Sequence, residues 1–339
     1  MAVLITGDLH FSDNPRDAYR HEWVSWFLTQ VKKHKAGGVV LLGDLTEAKD
    51  RHGGWLTNKV VAHLAAMAKL CPLIVVQGNH DFLGDPRDGF FGFSGRLDGV
   101  TWVSLPTAGK DLPAAFSMGL GPALFLPWTG DYKRDWAEWL GKGGFHAYAP
   151  IFCHQTFDGA DVGYGRKLDG VPASIFSYGT EDDLVIAGDI HVPQKLGPVT
   201  YAGAPYTVDF GDDYAGRILK LDGRKLTSIV YEGPQKRLVD IEIDWLQEAK
   251  VNAGDIVKVA IRMADKERWA ETRDAVMRWG EKRKVWVYSV VPVMAKAKQR
   301  VRGKVEARSD DELLGAFCKQ RGLSESVAKT GRFLMEKAL

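Results

Sequence analysis

Short apolar runs recur along the N-terminal two-thirds of the chain, and several end in polar side chains. They read AVLIT (2–6), GVVLLGD (38–44), PLIVVQGN (72–79), PALFLPW (122–128), APIFCHQ (149–155) and DLVIAGD (183–189). Near-continuous apolar runs of this length predict strands buried on both faces. Between the first and second lies AYRHEWVSWFLTQVKKH (18–34), and between the second and third LTNKVVAHLAAMAKL (56–70). Their apolar residues fall three and four apart, which predicts helices and an α/β domain. From 208 to 233 the pattern changes to alternation through Gly/Asp turns, VDFGDDYAGRILKLDGRKLTSIVYEG. That predicts antiparallel strands closing the first domain.

Beyond it, KRLVDIEIDW and GDIVKVAIRMA read as strands, DKERWAETRDAVMRWGEKRK as an amphipathic helix and VWVYSVVPVM as another strand, a small α+β unit. Two short helices are expected at the end, SDDELLGAFCKQRG and SESVAKTGRFLMEKAL. Ser309 would cap the first, with Glu312 three residues on. The expected division is 1–233, 234–308 and 309–339.

Composition narrows the class. The three cysteines are widely separated and not in CxxC pairs, so a disulfide framework and a zinc knot are both disfavoured and a reducing compartment fits. No apolar stretch approaches the ~20 residues of a membrane span, and no secretory leader is seen at the start, so a cytoplasmic location is expected. The net charge of +2 hides an asymmetry: residues 217–339 hold about 27 Lys/Arg against about 18 Asp/Glu. Within that half, KAKQRVRGKVEAR (296–308) is the most basic run. It is either a solvated face or, with Lys296, Lys298 and Arg300, a phosphate-tracking surface.

The chemistry sits where the strands end. Asp8 and His10 lie in GDLH, Asp44 in GDLTEAKD, Asn79, His80 and Asp81 in GNHD, and Asp189 and His191 in GDIH. An Asp-x-His pair on extended chain puts both side chains on one face, as two ligands to one ion require. The glycine before each motif is expected to permit the tight turn out of the strand. Mixed oxygen and imidazole donors suit Mn²⁺, Fe²⁺ or Zn²⁺ better than Ca²⁺. Two such ions side by side are a phosphoester-hydrolysis device. Asp8, His10 and His191 would serve one ion, Asp44 would bridge, and Asn79 and Asp189 would serve the other. His154, in FCHQTF, reads alone as a core histidine, but it is also the candidate for the missing nitrogen donor. His21, His34, His63 and His146 read as surface or packing residues.

The order DxH, GD, GNHD, a lone His and G-x-x-H resembles the calcineurin-like metallophosphoesterase superfamily over about residues 1–215. The continuation of the last motif, GDIHVPQKLGPVTYAGAPYTVDFGD, resembles the nuclease subunit of SbcCD-type double-strand-break repair complexes. The resemblance implies a four-layer α/β/β/α sandwich with a small α+β capping domain. It also implies a Mn²⁺-dependent DNA nuclease with two divalent ions, Mg²⁺ or Fe²⁺ being alternatives. Asp8, His10, Asp44, Asn79, His154 and His191 become metal ligands, and His80 the residue that orients the phosphate and assists the leaving group. Implied partners are DNA, an SMC-like P-loop ATPase of SbcC type docking on the final helices, and a second copy through LTNKVVAHLAAMAKL. Each helical segment has a packing reading beside this one. One departure stands out: Asp189 occupies the place of the family's first histidine in GHxH, which adds a negative charge. His52, after Asp44, reads either as a DNA-facing residue or as a plain loop histidine. Two rival functions remain open: a phosphodiesterase or phosphatase for nucleotides or other phosphoesters, and a DNA-binding accessory protein whose site has decayed.

Overall fold

The computed structural model describes residues 1–85, 89–140, 144–163, 165–176, 184–263 and 267–294, together with scattered positions between 314 and 330. Residues 1–293 form one compact unit and 294–339 another. Among the described residues of the second, Leu314 and Cys318 are helical and Cys318 is buried. The basic run with Lys296, Lys298 and Arg300 lies outside the described residues, as does most of the expected final helices.

The first unit holds two six-stranded mixed sheets. One consists of β1 (Ala2–Thr6), β2 (Gly38–Leu41), β3 (Leu73–Val76) and β4 (Val100–Val103) side by side in parallel. The hairpin β11 (Arg217–Asp222) and β12 (Lys225–Val230) extends it antiparallel beside β1. In the other, β6 (Leu124–Leu126), β7 (Ile151–His154), β8 (Val185–Gly188) and β10 (Val199–Tyr201) run parallel. Short β5 (Thr107–Ala108) and β9 (Gln194–Leu196) close its edges antiparallel.

The period-2 pleat explains why these strands read as unbroken apolar runs. In β1, β2 and β3, Leu4, Val39, Leu41, Leu73 and Val75 join a cluster with the helices α1 (Ala18–Lys33) and α2 (Gly54–Ala68). Their neighbours Val3, Ile5, Val40, Ile74 and Val76 face the other way, in a cluster with Phe125, Phe152 and Ile186 of the second sheet. On the far side of that sheet Leu124, Cys153 and Ala187 pack with Trp136 and Phe145. A strand with an apolar cluster on each face has no polar alternation to show. In α1 the buried Tyr19, Trp23, Phe27 and Val31 make one stripe, and in α2 Leu56, Val60, Leu64 and Met67 make another. The apolar face of α2 is thus spent on its own sheet.

A small sheet follows, with β13 (Lys236–Glu242) parallel to β14 (Ile256–Met263) and β15 (Trp286–Met294) beyond it. The helix Trp269–Arg283 packs on it through Val276 and Trp279. Among the described residues no helix is long and apolar enough to cross a membrane.

Candidate metal centre

Every motif residue follows, or ends, a parallel strand at its C-terminal edge, where open α/β sheets place their sites. Thr6, Leu41 and Val76 lead into the loops with Asp8, Asp44 and Asn79. His154 ends β7, and β8 runs into Asp189 and His191. Three groups whose candidate ligand atoms lie within 4.8 Å of one another result: Asp8, His10 and His191; Asp8, Asp44 and His154; and His10, Asp44 and His80. Asp8, His10 and Asp44 are each shared between two of these groups.

The distances define which atoms converge. His10 Nε2 is 3.0 Å from His191 Nε2 and 3.6 Å from Asp44 Oδ2. His154 Nε2 lies 3.1 Å from Asn79 Oδ1, 3.4 Å from Asp44 Oδ1 and 3.7 Å from Asp189 Oδ1. His154 Nδ1 donates to the carbonyl of Leu42. A carbonyl only accepts, so the proton is on Nδ1 and the Nε2 lone pair faces the carboxylates. His154 is completely buried, as a core histidine would be, and is oriented as a ligand.

Buried atoms test whether a cation fits. Asp8 Oδ2 has no hydrogen-bond partner, although Asp8 is fully buried. Three carboxyl groups are packed together: burial pushes the Asp8 carboxyl up to about 8, and the neighbouring Asp44 and Asp189 add to the rise. Burial and the neighbouring Asp81 raise Asp44 well above the usual carboxylate range. Burial, reinforced by His191 and His80, holds His10 well below the usual imidazole value. A divalent cation would favour the ionised form of the raised carboxyls and would take the neutral form of imidazole that burial already favours. The donor set is consistent with a binuclear metal site.

The backbone is bent to make this cluster. Among the described residues, Asp8, His10, Asp44 and Asp189 are four of the six non-glycine residues with positive φ, at 54°, 44°, 54° and 90°. The expectation that the preceding glycines carry these turns needs correction. Only Gly43 has positive φ, 91°. Gly78 instead provides room, because a Cβ there would lie 2.6 Å from the Asp44 nitrogen and 2.9 Å from His154 Cε1. Asp tolerates the left-handed region better than most residues, so the motif residues turn themselves.

Asp81 of the GNHD motif, and several residues outside the motifs, hold the candidate ligands. Asp81 is buried and accepts from the backbone N–H groups of Asp44 (2.8 Å), Gly78 (2.9 Å) and Leu45 (3.1 Å), locking two motif loops together. The Asp189 N–H donates to Asp8 Oδ1 at 2.9 Å, and Thr156 donates to the Asp189 carboxylate. Arg20, buried on α1, donates to the carbonyl of His10 and to that of Val208 (3.0 Å). His80 donates its backbone N–H to Asp44 Oδ1 (2.9 Å) and its Nδ1–H to the carbonyl of Glu47 (2.7 Å), leaving Nε2 free.

His52 is not brought into the cluster. Its ring packs on Phe90, 4.1 Å between centroids, and its Nε2–H is shared between Ala48 O and Thr46 Oγ1. Beside the centre opens a cavity of about 360 Å³ whose lining includes Phe11, Arg16, Arg20, Glu47, Arg51 and Lys236.

A family model described as calcineurin-like phosphoesterase matches residues 1–193. No curated protein matches the chain.

Proposed function

The chain belongs to the calcineurin-like phosphoesterase family, and from that premise we propose that it is a metal-dependent DNA nuclease, the catalytic subunit of an SbcCD-like repair or recombination complex. The observation that carries hydrolysis is the convergence of Asp8, His10, Asp44, His154 and His191 on one cluster in which the buried Asp8 Oδ2 has no hydrogen-bond partner. Two divalent cations held there, Mn²⁺ in our reading with Mg²⁺ or Fe²⁺ as substitutes, supply Lewis-acid stabilisation of the phosphoryl oxygens and activation of water. Asp8, His10 and His191 would hold one, His154, Asn79 and Asp189 the other, with Asp44 between them.

The chain's own residues do the rest. Asp44 accepts from the His80 backbone, so the carboxylate at the centre of the cluster also sets the height of His80 above it. The Glu47 carbonyl keeps the His80 proton on Nδ1. Nε2, the outer nitrogen, orients the phosphate and, when protonated, delivers a proton to the departing sugar oxygen. Arg16 and Arg51 at the adjoining cavity would meet the flanking backbone.

For DNA, the support is the resemblance of residues 188–212 to the SbcCD-type nuclease and the basic run that follows the small sheet. In this reading residues 1–233 form the four-layer phosphoesterase domain, 234–308 the capping and DNA-binding domain with Lys296, Lys298 and Arg300 on phosphates, and 309–339 the dock for a P-loop ATPase. A second reading, a phosphodiesterase for nucleotides, is favoured by the cavity's size and by the acids Asp13, Asp17 and Asp209 among its basic groups. The decayed-site reading is disfavoured, because Asp189 keeps a carboxylate 3.7 Å from His154 Nε2.

The test is cleavage of end-labelled duplex DNA with Mn²⁺ or Mg²⁺, beside the His80→Ala protein and a small diester. Metal-dependent DNA cleavage lost in the variant supports the nuclease. Turnover of the diester alone shifts the assignment to the phosphodiesterase, and no turnover of either despite bound metal favours the accessory protein.

A further inference from the structure

Histidine ligates a metal through one nitrogen, and the proton on the other must be held somewhere. For His154 the holder is the Leu42 carbonyl. For His10 the question is open in the hydrogen-bond pattern: its Nε2 faces His191 and Asp44, so the proton belongs on Nδ1, and Nδ1 is buried without a hydrogen-bond partner. The acceptor facing Nδ1 is Glu47 Oε2, 3.5 Å away. The same oxygen is 3.4 Å from Arg20 Nη1, which also donates to the carbonyl of His10. Arg20 is therefore fixed to the backbone of the ligand and reaches the carboxylate that faces its ring.

We infer that Glu47 is a positioning residue for the metal centre, its carboxylate accepting the Nδ1 proton of His10 so that Nε2 is presented to a cation as a bare lone pair. The inference rests on reading His10 as a ligand. The gap of 3.5 Å lies just beyond an ordinary N–H···O bond, and the Glu47 side chain is 54% exposed, so a small torsion closes it. A cation drawing electron density from Nε2 makes Nδ1–H a better donor and strengthens this bond. Glu47 then serves two histidines by two routes, the side chain for His10 and the main-chain carbonyl for His80. Replacing the side chain removes one of these routes and leaves the other.

The experiment is calorimetric titration of the metal-free full chain with MnCl₂ for the unaltered protein, Glu47→Ala and Glu47→Gln. The protein is also loaded with diamagnetic Zn²⁺ for nitrogen-15 spectra of the His10 ring. Glu47→Ala should weaken Mn²⁺ binding about 10- to 100-fold. Glu47→Gln, whose amide oxygen still accepts, should recover part of the loss. In the Zn²⁺-loaded protein the His10 Nδ1–H signal should be sharp in the unaltered chain and broadened by solvent exchange in Glu47→Ala. Affinity within twofold of the unaltered protein in Glu47→Ala, with the His10 signal unchanged, would overturn the role of Glu47 while leaving the metal centre standing. If the unaltered protein itself takes up no metal, the centre is misread and this inference falls with it. Because Glu47 is exposed, a thermal melt of metal-free Glu47→Ala should match the unaltered chain.

Discussion

Two pairs of imidazoles meet in this molecule at almost the same distance. His10 and His191 are 3.0 Å apart at Nε2, and His21 of α1 and His63 of α2 are 3.1 Å apart between Nδ1 and Nε2. The second pair is a packing contact: His21 Nε2–H donates to the carbonyl of Ser12 at 2.9 Å, so its Nδ1 accepts the proton of His63 Nε2. Phe11 stacks on His21 and Trp55 meets it edge-on. Among the described residues no carboxylate comes within ion-pair distance of either ring. The first pair sits beside Asp8, Asp44 and Asp189, and the buried Asp8 Oδ2 has no hydrogen-bond partner. Two close histidines therefore say little, and it is the crowding of carboxyl groups with an unsatisfied oxygen that marks a place for a cation.

The contrast is broken most sharply by activity. His80→Ala should cost about 10²- to 10⁴-fold in phosphodiester turnover while metal stoichiometry is kept, as expected for a proton-transfer residue. His63→Gln, which preserves a donor to His21, should leave turnover and metal content unchanged. Turnover with Mn²⁺ and metal analysis of the same samples would check both.

Packing comes next. Gly78→Ala drives a methyl against the Asp44 backbone and the His154 ring, so it should destabilise the protein by about 1–3 kcal/mol, as overpacking usually does. Metal affinity should fall in the same variant, and denaturant unfolding with and without Mn²⁺ would separate the two effects.

The two regions should also answer pH in opposite directions. Burial, with the neighbouring His21, lowers His63 to about 4, so the stability this neutral residue contributes is present above its unfolded value near 6.5 and is lost as pH falls towards 4. Asp8 is raised from 3.8 to about 8 in the metal-free protein, so its contribution is present below 3.8 and is lost as pH rises towards 8. In the presence of a chelator, melting profiles from pH 4 to 8 should show a shallower alkaline fall in Asp8→Asn and a shallower acid fall in His63→Gln, the remainder coming from Asp44 and from the other buried histidines.

The smallest effect concerns Asp189. Asp189→His removes one negative charge from the second set of donors and should shift preference from Mn²⁺ towards Zn²⁺ by less than the loss of a ligand would. Competition between the two ions, followed by metal analysis, would measure it.

What the sequence made readable were the parts that act through neighbours in the chain. Asp8 with His10, Asn79 with His80, and Asp189 with His191 announce themselves because a strand end gathers them, and the alternation from 208 to 233 announces the hairpin of β11 and β12. His154 could be read only by counting donors, since a lone histidine in an apolar strand has a satisfactory life as a core residue. Arg20 and Thr156 could not be read, and the roles of Glu47 and Asp81 were hidden although both lie in motif segments. Arg20 looks like a polar position on a helix until the fold brings the His10 and Val208 carbonyls to it, and the value of Asp81 lies in backbone groups from another loop. The placement of positive φ on the aspartates rather than on Gly7, Gly78 and Gly188 was hidden for the same reason, being imposed by the meeting of two sheets.

Those left-handed aspartates make the centre the least contented part of the chain in its metal-free form. Asn and Gly accept that backbone more easily than Asp, and neither brings a buried charge. A library selected only for heat resistance, with no demand for metal or turnover, should therefore drift first at positions 8, 44 and 189, exchanging the working residues for quieter ones. Heat resistance and metal binding would thus pull on these three positions in opposite directions.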